Sequence, residues 1–303
     1  MVQSPILRTL AVALLSATMA ACSDSSPEAE EQSNNGSDTA QSTLESARAA
    51  GKIRVGYANE APYAYTDSAS GGITGESVEI AREVLGKMGI NEVEGVLTEF
   101  GSLIPGLQAG RFDIIAAGMY VTPERCQQVA FSNPTYGVGQ AFVVKQGNPL
   151  ALHSYDDVAG NDKARLGVVV GAIESDYANK LGVAASQVVV FPDAASALEG
   201  VAGGRADAYA ATALTANDLL QRAGTDSGLE RAEPFTDPEI NGESVRGYGA
   251  YAFRLEDKDF VAAFNTELAK FIGTEAHTSL VKKWGFSQTE LPGTVTADQL
   301  CAR

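Results

Sequence analysis

The chain has 303 residues, enough for two domains of ordinary size, and its 45% hydrophobic and 20% charged residues are those of a soluble globular protein. Its formal charge of -16 gives a surface that repels phosphate backbones, which argues against nucleic acid as a partner.

At the N-terminus, Arg8 precedes an apolar run over 10–15, the small residues Ser16, Ala17 and Thr18, and then Met19-Ala20-Ala21-Cys22. The run is too short to span a bilayer and fits the core of a signal peptide, so residues 1–22 are assigned to a leader. A Cys directly after small residues resembles the bacterial lipobox, with Met19 where Leu is usual. That resemblance implies acylation of Cys22 and a lipid anchor on the outer face of the cell membrane, without a membrane span. Residues 23–43 carry Asp24, Glu28, Glu30, Glu31 and Asp38 but no aromatic or branched aliphatic residue. They cannot bury enough apolar surface to offset the entropy of ordering, and are expected to form a disordered tether.

From residue 50 onward short apolar strands alternate with amphipathic helices. A strand is expected over 53–57, then a helix over 77–88 with Val78, Ala81, Val84, Leu85 and Met88 on one face and Gly89 as its stop. A strand over 93–97, a short helix over 103–109 and a buried strand over 112–117 complete a β-α-β-α-β succession, which argues for a parallel sheet covered by helices. The succession recurs. Residues 102–118 (SLIPGLQAGRFDIIAAG) and 196–212 (SALEGVAGGRADAYAAT) share seven identities at an offset of 94, among them Gly106/Gly200, Gly110/Gly204, Arg111/Arg205 and Asp113/Asp207. Two topologically similar α/β lobes are therefore expected. Gly118 and Thr212 would end equivalent strands, where open α/β sheets bind ligands, and would face one cleft. Extended apolar segments over 140–145 and 248–253 suggest paired crossovers, so lobe 1 is assigned to 44–142 and 249–303 and lobe 2 to 143–248. Over 256–286, helices return to lobe 1 with a core stripe of Phe260, Phe264, Leu268 and Phe271.

No nucleophile elbow, phosphate loop or dinucleotide fingerprint is present. The histidines, His153 and His277, are far apart and no Cys/His spacing resembles a metal site, so neither metal nor cofactor is expected. Thr122-Pro123-Glu124-Arg125 has the form of a helix N-cap with Pro at the first helical position. Its free N–H groups and the planar fork of Arg125 suit a carboxylate. The loop over 59–65 follows the first strand and offers Tyr63 and Tyr65 beside the carboxylate of Glu60, with Phe100 and Tyr120 nearby. Aromatic faces and a carboxylate together attract a cation. Glu60 is the clear titratable candidate in that cleft for acid–base work, which makes an enzyme improbable. After Cys22, two cysteines remain; export permits disulfides, so a Cys126–Cys301 bridge is expected, pinning the C-terminal tail to lobe 1.

The stretches KIRVGYANEAPYAY, GESVEIAREVLGKMGI, LIPGLQAGRFDIIAAGMYVTPERCQQVAFSNPTY and GGRADAYAAT resemble the periplasmic amino-acid-type solute-binding proteins of ABC importers, across 50–290. The resemblance implies two Rossmann-like lobes joined by two crossover strands, the type II periplasmic-binding-protein fold. It also implies a monomer serving a membrane permease and its ATPase. By the same resemblance Arg125 grips a ligand carboxylate, helped by the backbone near Thr122 and by the loop at Gly171 and Ala172, while Tyr63 covers the ligand. One departure bears on the ligand: relatives that bind α-amino acids carry Asp at the place of Thr212, and a buried ammonium left unpaired costs several kcal/mol. The combination resembles the ectoine- and hydroxyectoine-binding members. For these it implies Glu60 on a cyclic amidinium, Tyr63, Phe100 and Tyr120 boxing the ring, and Arg125 on the carboxylate of a small zwitterion. A polar or cationic amino acid remains the alternative within the family, and a dehydratase-like enzyme the alternative outside it.

Overall fold

The computed structural model describes residues 41–240 and 242–302. The leader, Cys22 and the tether up to residue 40 lie outside the described residues. Ser42 and Thr43, assigned above to the tether, instead open a helix, Thr43–Ala50. The Ser42 hydroxyl accepts from the Glu45 amide while the Glu45 carboxylate accepts from the Ser42 amide, and Leu44 and Ala47 are buried against lobe 1. A polar cap and one short apolar stripe suffice for these two turns.

Two five-stranded sheets follow with one topology. The first runs Glu92–Leu97, Lys52–Tyr57, Ile114–Ile115, Ala252–Phe253, Ala130–Phe131. The second runs Val188–Phe191, Leu166–Val169, Ala208–Thr212, Gln140–Lys145, Leu229–Arg231. In each, the first three strands are parallel and the fourth is antiparallel to the third. The internal repeat falls on equivalent elements: helix Leu103–Gln108 leads to Ile114–Ile115, and helix Ala194–Ala202 leads to Ala208–Thr212. Its identities have structural jobs. A Cβ on Gly106 would stand 2.8 Å from the Phe112 ring, and one on Gly200 would stand 2.3 Å from the Phe191 ring. Asp113 and Asp207 each pair with an arginine, Arg54 (2.9 Å) and Arg165 (3.0 Å) respectively.

The crossing between sheets differs from the expected one. Gln140–Lys145 lies wholly in the second sheet, so a boundary at 143 cuts a strand. The paired segments between the sheets are Tyr136–Val138 and Gly247–Gly249, antiparallel to each other. Gly137 and Gly139 interrupt what reads in sequence as one apolar run.

The returning helix Lys258–Phe271 buries Phe260, Phe264, Leu268 and Phe271, with the Phe260 and Phe264 rings 5.1 and 5.5 Å from that of Phe253. Each such side chain contributes about 1.5–3 kcal/mol by leaving water. The terminal helix Ala297–Cys301 docks on lobe 1 through Ala297 and Leu300, and Cys301 is disulfide-bonded to Cys126. Among the described residues no helix is long and apolar enough to cross a membrane.

Candidate functional site

The carboxyl ends of both sheets meet at a narrow cavity of about 30 Å³ whose walls stand close together. Glu60, Tyr63, Phe100, Gly118, Tyr120, Arg125, Ala172 and Thr212, all singled out in sequence, line it. Val169, Ile173, Glu174, Tyr209 and Ala211 line it as well.

A tight reversal after the first strand places Glu60 and Tyr63. The amides of Tyr63 and Ala64 donate to the Glu60 carbonyl (3.1 and 2.9 Å), and the Glu60 amide donates back to the Ala64 carbonyl (2.8 Å). Tyr63 is 1% exposed, its ring stacked on Tyr136 at 5.0 Å and 20°. Gly118 makes room for this pair: at φ +64 it sits where L side chains are strained, and a Cβ would lie 2.5 Å from the Tyr63 ring. Tyr65 departs from expectation. It turns away from the cavity to accept from Trp284 Nε1 (3.1 Å), beneath the Arg222 guanidinium. The two are not successive residues of one strand: Tyr63 lies inside the reversal closed by the Glu60–Ala64 bridge, whereas Tyr65 has entered the strand pair with Thr74.

Hydrogen bonds run from lobe 1 into lobe 2 and back. Tyr63 Oη lies 2.8 Å from Thr212 Oγ1; Thr212 Oγ1 donates to Thr215 Oγ1 (3.0 Å); Thr215 Oγ1 donates to Glu60 Oε1 (2.8 Å). With Glu60 ionised, the direction of each bond is fixed: the carboxylate can only accept, so Tyr63 donates. Thr212 also caps helix Ala213–Ala223.

Arg125 spans the lobes at another part of the wall. Its Nη1 donates to the Tyr120 carbonyl (2.8 Å) and its Nη2 to the Gly171 carbonyl (3.0 Å), with the guanidinium 5.6 Å from the Phe100 ring centre. Burial draws its pKa down, opposed by the carboxylates of Glu174 and Asp176. Gly171, at φ +74, brings the lobes together: a Cβ there would stand 2.5 Å from Gly101 Cα. Neither Gly171 nor Thr122 is among the residues lining the cavity. Thr122 instead caps the single turn Pro123–Cys126, accepting from the Arg125 amide (3.3 Å).

Sequence reasoning missed a second carboxylate. Glu174 is 5% exposed and opens helix Glu174–Lys180, three residues beyond Gly171. The Gln140 amide, turned so that its nitrogen faces acceptors, donates to Glu174 Oε1 (2.9 Å). Burial raises Glu174 to about 8, helped by the nearby Glu60, while its own backbone amide, Arg125 and Gln140 oppose the rise. Burial likewise raises Glu60 to about 7, with the Thr215 hydroxyl opposing. Glu60 is therefore not the lone titratable carboxylate of the cleft. The loop at Gly171 and Ala172, which the resemblance implied, follows the strand Leu166–Val169 and leads within one turn to Glu174. Tyr120 adds a buried hydroxyl with no hydrogen-bond partner among the described residues.

The family model described as "Bacterial extracellular solute-binding proteins, family 3" matches residues 53–288. The chain belongs to this family. It is 41% identical over 257 residues, 84% of this chain and 82% of the relative, to a probable amino-acid ABC transporter periplasmic-binding protein, y4tE, of Sinorhizobium fredii. It is 26% identical over 240 residues, 77% of this chain and 86% of the relative, to the lysine/arginine/ornithine-binding periplasmic protein of Escherichia coli. Among solved structures, EhuB in complex with hydroxyectoine matches at 35% identity and a TM-score of 0.77, covering 86% of this chain and 97% of that one. The two similar sheets are thus those of the two-lobe type II periplasmic-binding fold. This family 3 member is a solute-binding receptor of an amino-acid-type ABC importer, with a small molecule as its ligand and a permease and ATPase as its partners. The family and these relatives are transport receptors, not enzymes.

Proposed function

We propose that the receptor captures a small zwitterion of the ectoine and hydroxyectoine type between its lobes. The observation that carries this is the balance of charge in an aromatic cavity: one guanidinium, Arg125, and two carboxylates raised to about 7 and 8. Near neutral pH one of those carboxylates keeps its proton, and a pair of opposite charges remains to meet a net-neutral solute. Arg125 takes the carboxylate of the solute in the bidentate manner its fork allows, in place of one of its carbonyl partners. Glu60 takes the delocalised cation, and Tyr63, Phe100 and Tyr120 cover the ring. Thr212 supports this assignment, since its hydroxyl is engaged by Tyr63 and Thr215 and it offers a primary ammonium no charge. The likeness to EhuB in complex with hydroxyectoine points the same way. Upstream, acylated Cys22 would hold the monomeric receptor at the outer face of the membrane, near its permease.

Glu174 favours a second reading. With both carboxylates ionised the cavity suits a solute with two cationic groups and one carboxylate, a basic amino acid, as the lysine/arginine/ornithine-binding relative illustrates. Calorimetric titration with ectoine, hydroxyectoine, arginine, lysine and ornithine near neutral pH separates the two. The proposal expects ectoine or hydroxyectoine to bind about a hundredfold tighter than any of the basic amino acids, a difference of about 2.7 kcal/mol. Absence of heat with ectoine at millimolar concentration sinks it.

A further inference from the structure

The turn that carries Arg125 has little to hold it in place by itself. Pro123–Cys126 is four residues long, and an isolated turn is far below the length at which a helix is stable. Its local support is the Thr122 cap, the bond from the Cys126 amide to the Thr122 carbonyl (2.9 Å) and those from the Gln128 and Val129 amides to the Arg125 carbonyl (2.9 and 3.0 Å), with Val121 and Val129 buried on either side. Yet the guanidinium projected from it reaches two carbonyls at once, one in each lobe, at 2.8 and 3.0 Å. Recognition of that kind needs placement to within about half an ångström.

The residue beside Arg125 adds a covalent tie from outside the turn. Cys126 is bonded to Cys301 on the terminal helix Ala297–Cys301, across a sequence separation of 175 residues. That helix is anchored independently: Thr296 and Gln299 form a capping box, Ala297 and Leu300 are buried in the lobe 1 cluster that includes Leu103 and Leu107, and the Ala297 amide donates to Asn133 Oδ1 (3.2 Å). We propose that the Cys126–Cys301 disulfide is a positioning element of the solute site, holding the Arg125 turn against the docked terminal helix and so setting the affinity for carboxylate-bearing solutes. The inference rests on Arg125 taking the solute carboxylate. It adds to the bridge a role beyond retaining the C-terminal tail, and it makes Cys126 and Cys301 positioning residues that touch no solute.

A double-mutant cycle tests it on the full chain, with ectoine as the probe and arginine as the second probe. Affinity is measured for wild type, Cys126→Ala/Cys301→Ala, Arg125→Ala and the triple variant, below the melting temperature of each. The expected results are a loss of about tenfold or more in the cysteine variant, a larger loss in Arg125→Ala, and no further loss on combining them, because the disulfide acts through Arg125. A carboxamide analogue of the same solute, which gives Arg125 no charge to grip, should bind the cysteine variant and wild type equally; general loosening of the lobes would weaken it too. Should the alanine pair fold poorly, Cys126→Val/Cys301→Ala keeps apolar volume in the cluster and enters the same cycle. If Arg125→Ala weakens binding while both cysteine variants stay within twofold of wild type, the inference falls and the carboxylate assignment stands. Additive losses, or equal losses for the carboxamide, also overturn the inference. If Arg125→Ala leaves both probes unaffected, the carboxylate assignment falls and takes the inference with it.

Discussion

Replacing Glu174 by Gln should make the solute-free protein more stable in alkali, and the structure gives the size of the effect. Glu174 is nearly inaccessible, and burial raises it from the ordinary 4.5 to about 8. An acid whose folded value lies above its unfolded value releases its proton on unfolding, so this group costs nothing below about pH 4.5 and destabilises increasingly as pH rises through 8. At about 1.4 kcal/mol per tenfold change, the full penalty above pH 8 is on the order of 5 kcal/mol. Gln removes the charge and keeps an oxygen that can accept from the Gln140 amide. Urea denaturation of both proteins should give similar stability near pH 5 and a gain for Glu174→Gln of about 2–5 kcal/mol near pH 8.5, the lower figure allowing for an imperfect amide fit. Glu76, raised by burial to about 7, pushes stability the same way in both proteins and drops out of the difference, whereas Glu60, whose charge helps raise Glu174, ionises more easily once Glu174 is neutral and adds to the gain. Equal pH dependence in the two proteins, or a variant less stable than wild type near pH 8.5, refutes the reasoning. The same variant divides the two ligand readings, since a basic amino acid should lose affinity with Glu174→Gln whereas ectoine should lose little.

Three further outcomes are expected. Tyr63→Phe keeps the ring wall and removes the bond to Thr212, so solute affinity in a calorimetric titration should fall about five- to tenfold, the worth of one hydrogen bond. Gly118→Ala puts a Cβ 2.5 Å from the Tyr63 ring at a strained φ and should lower stability by about 1–3 kcal/mol in chemical denaturation, with solute binding lost as Tyr63 is displaced. Trp284 donates to Tyr65, over which Arg222 of the other lobe lies at 4.7 Å, so fluorescence from the chain's single tryptophan should change on adding a solute that closes the lobes, and Arg222→Ala should diminish that change.

Much of the architecture was legible because it occurs twice. The glycines and aspartates shared at offset 94 mark places where a helix packs on an aromatic ring and where an arginine is held, and these are constraints a short motif can carry. The crossing point was less legible, since Tyr136–Val138 and Gln140–Lys145 form one apolar run broken only by glycines and the change of sheet is a tertiary matter. The site was legible where it lies at strand ends, as with Glu60, Gly118 and Thr212, while Ala172 came from the family resemblance. Glu174 was missed because a Glu opening a helix reads as a solvated first-turn acid until the facing lobe covers it. Tyr65 was misplaced because the direction of a loop tyrosine is set by its partner, Trp284, 219 residues away.

The most direct test of the account is a crystal structure of the protein grown with ectoine. The account predicts the solute carboxylate within hydrogen-bond distance of the Arg125 guanidinium, its cyclic cation against Glu60, and its ring among Tyr63, Phe100 and Tyr120. A solute whose carboxylate lies away from Arg125, or whose cation sits on Glu174 with Glu60 unpaired, would contradict it.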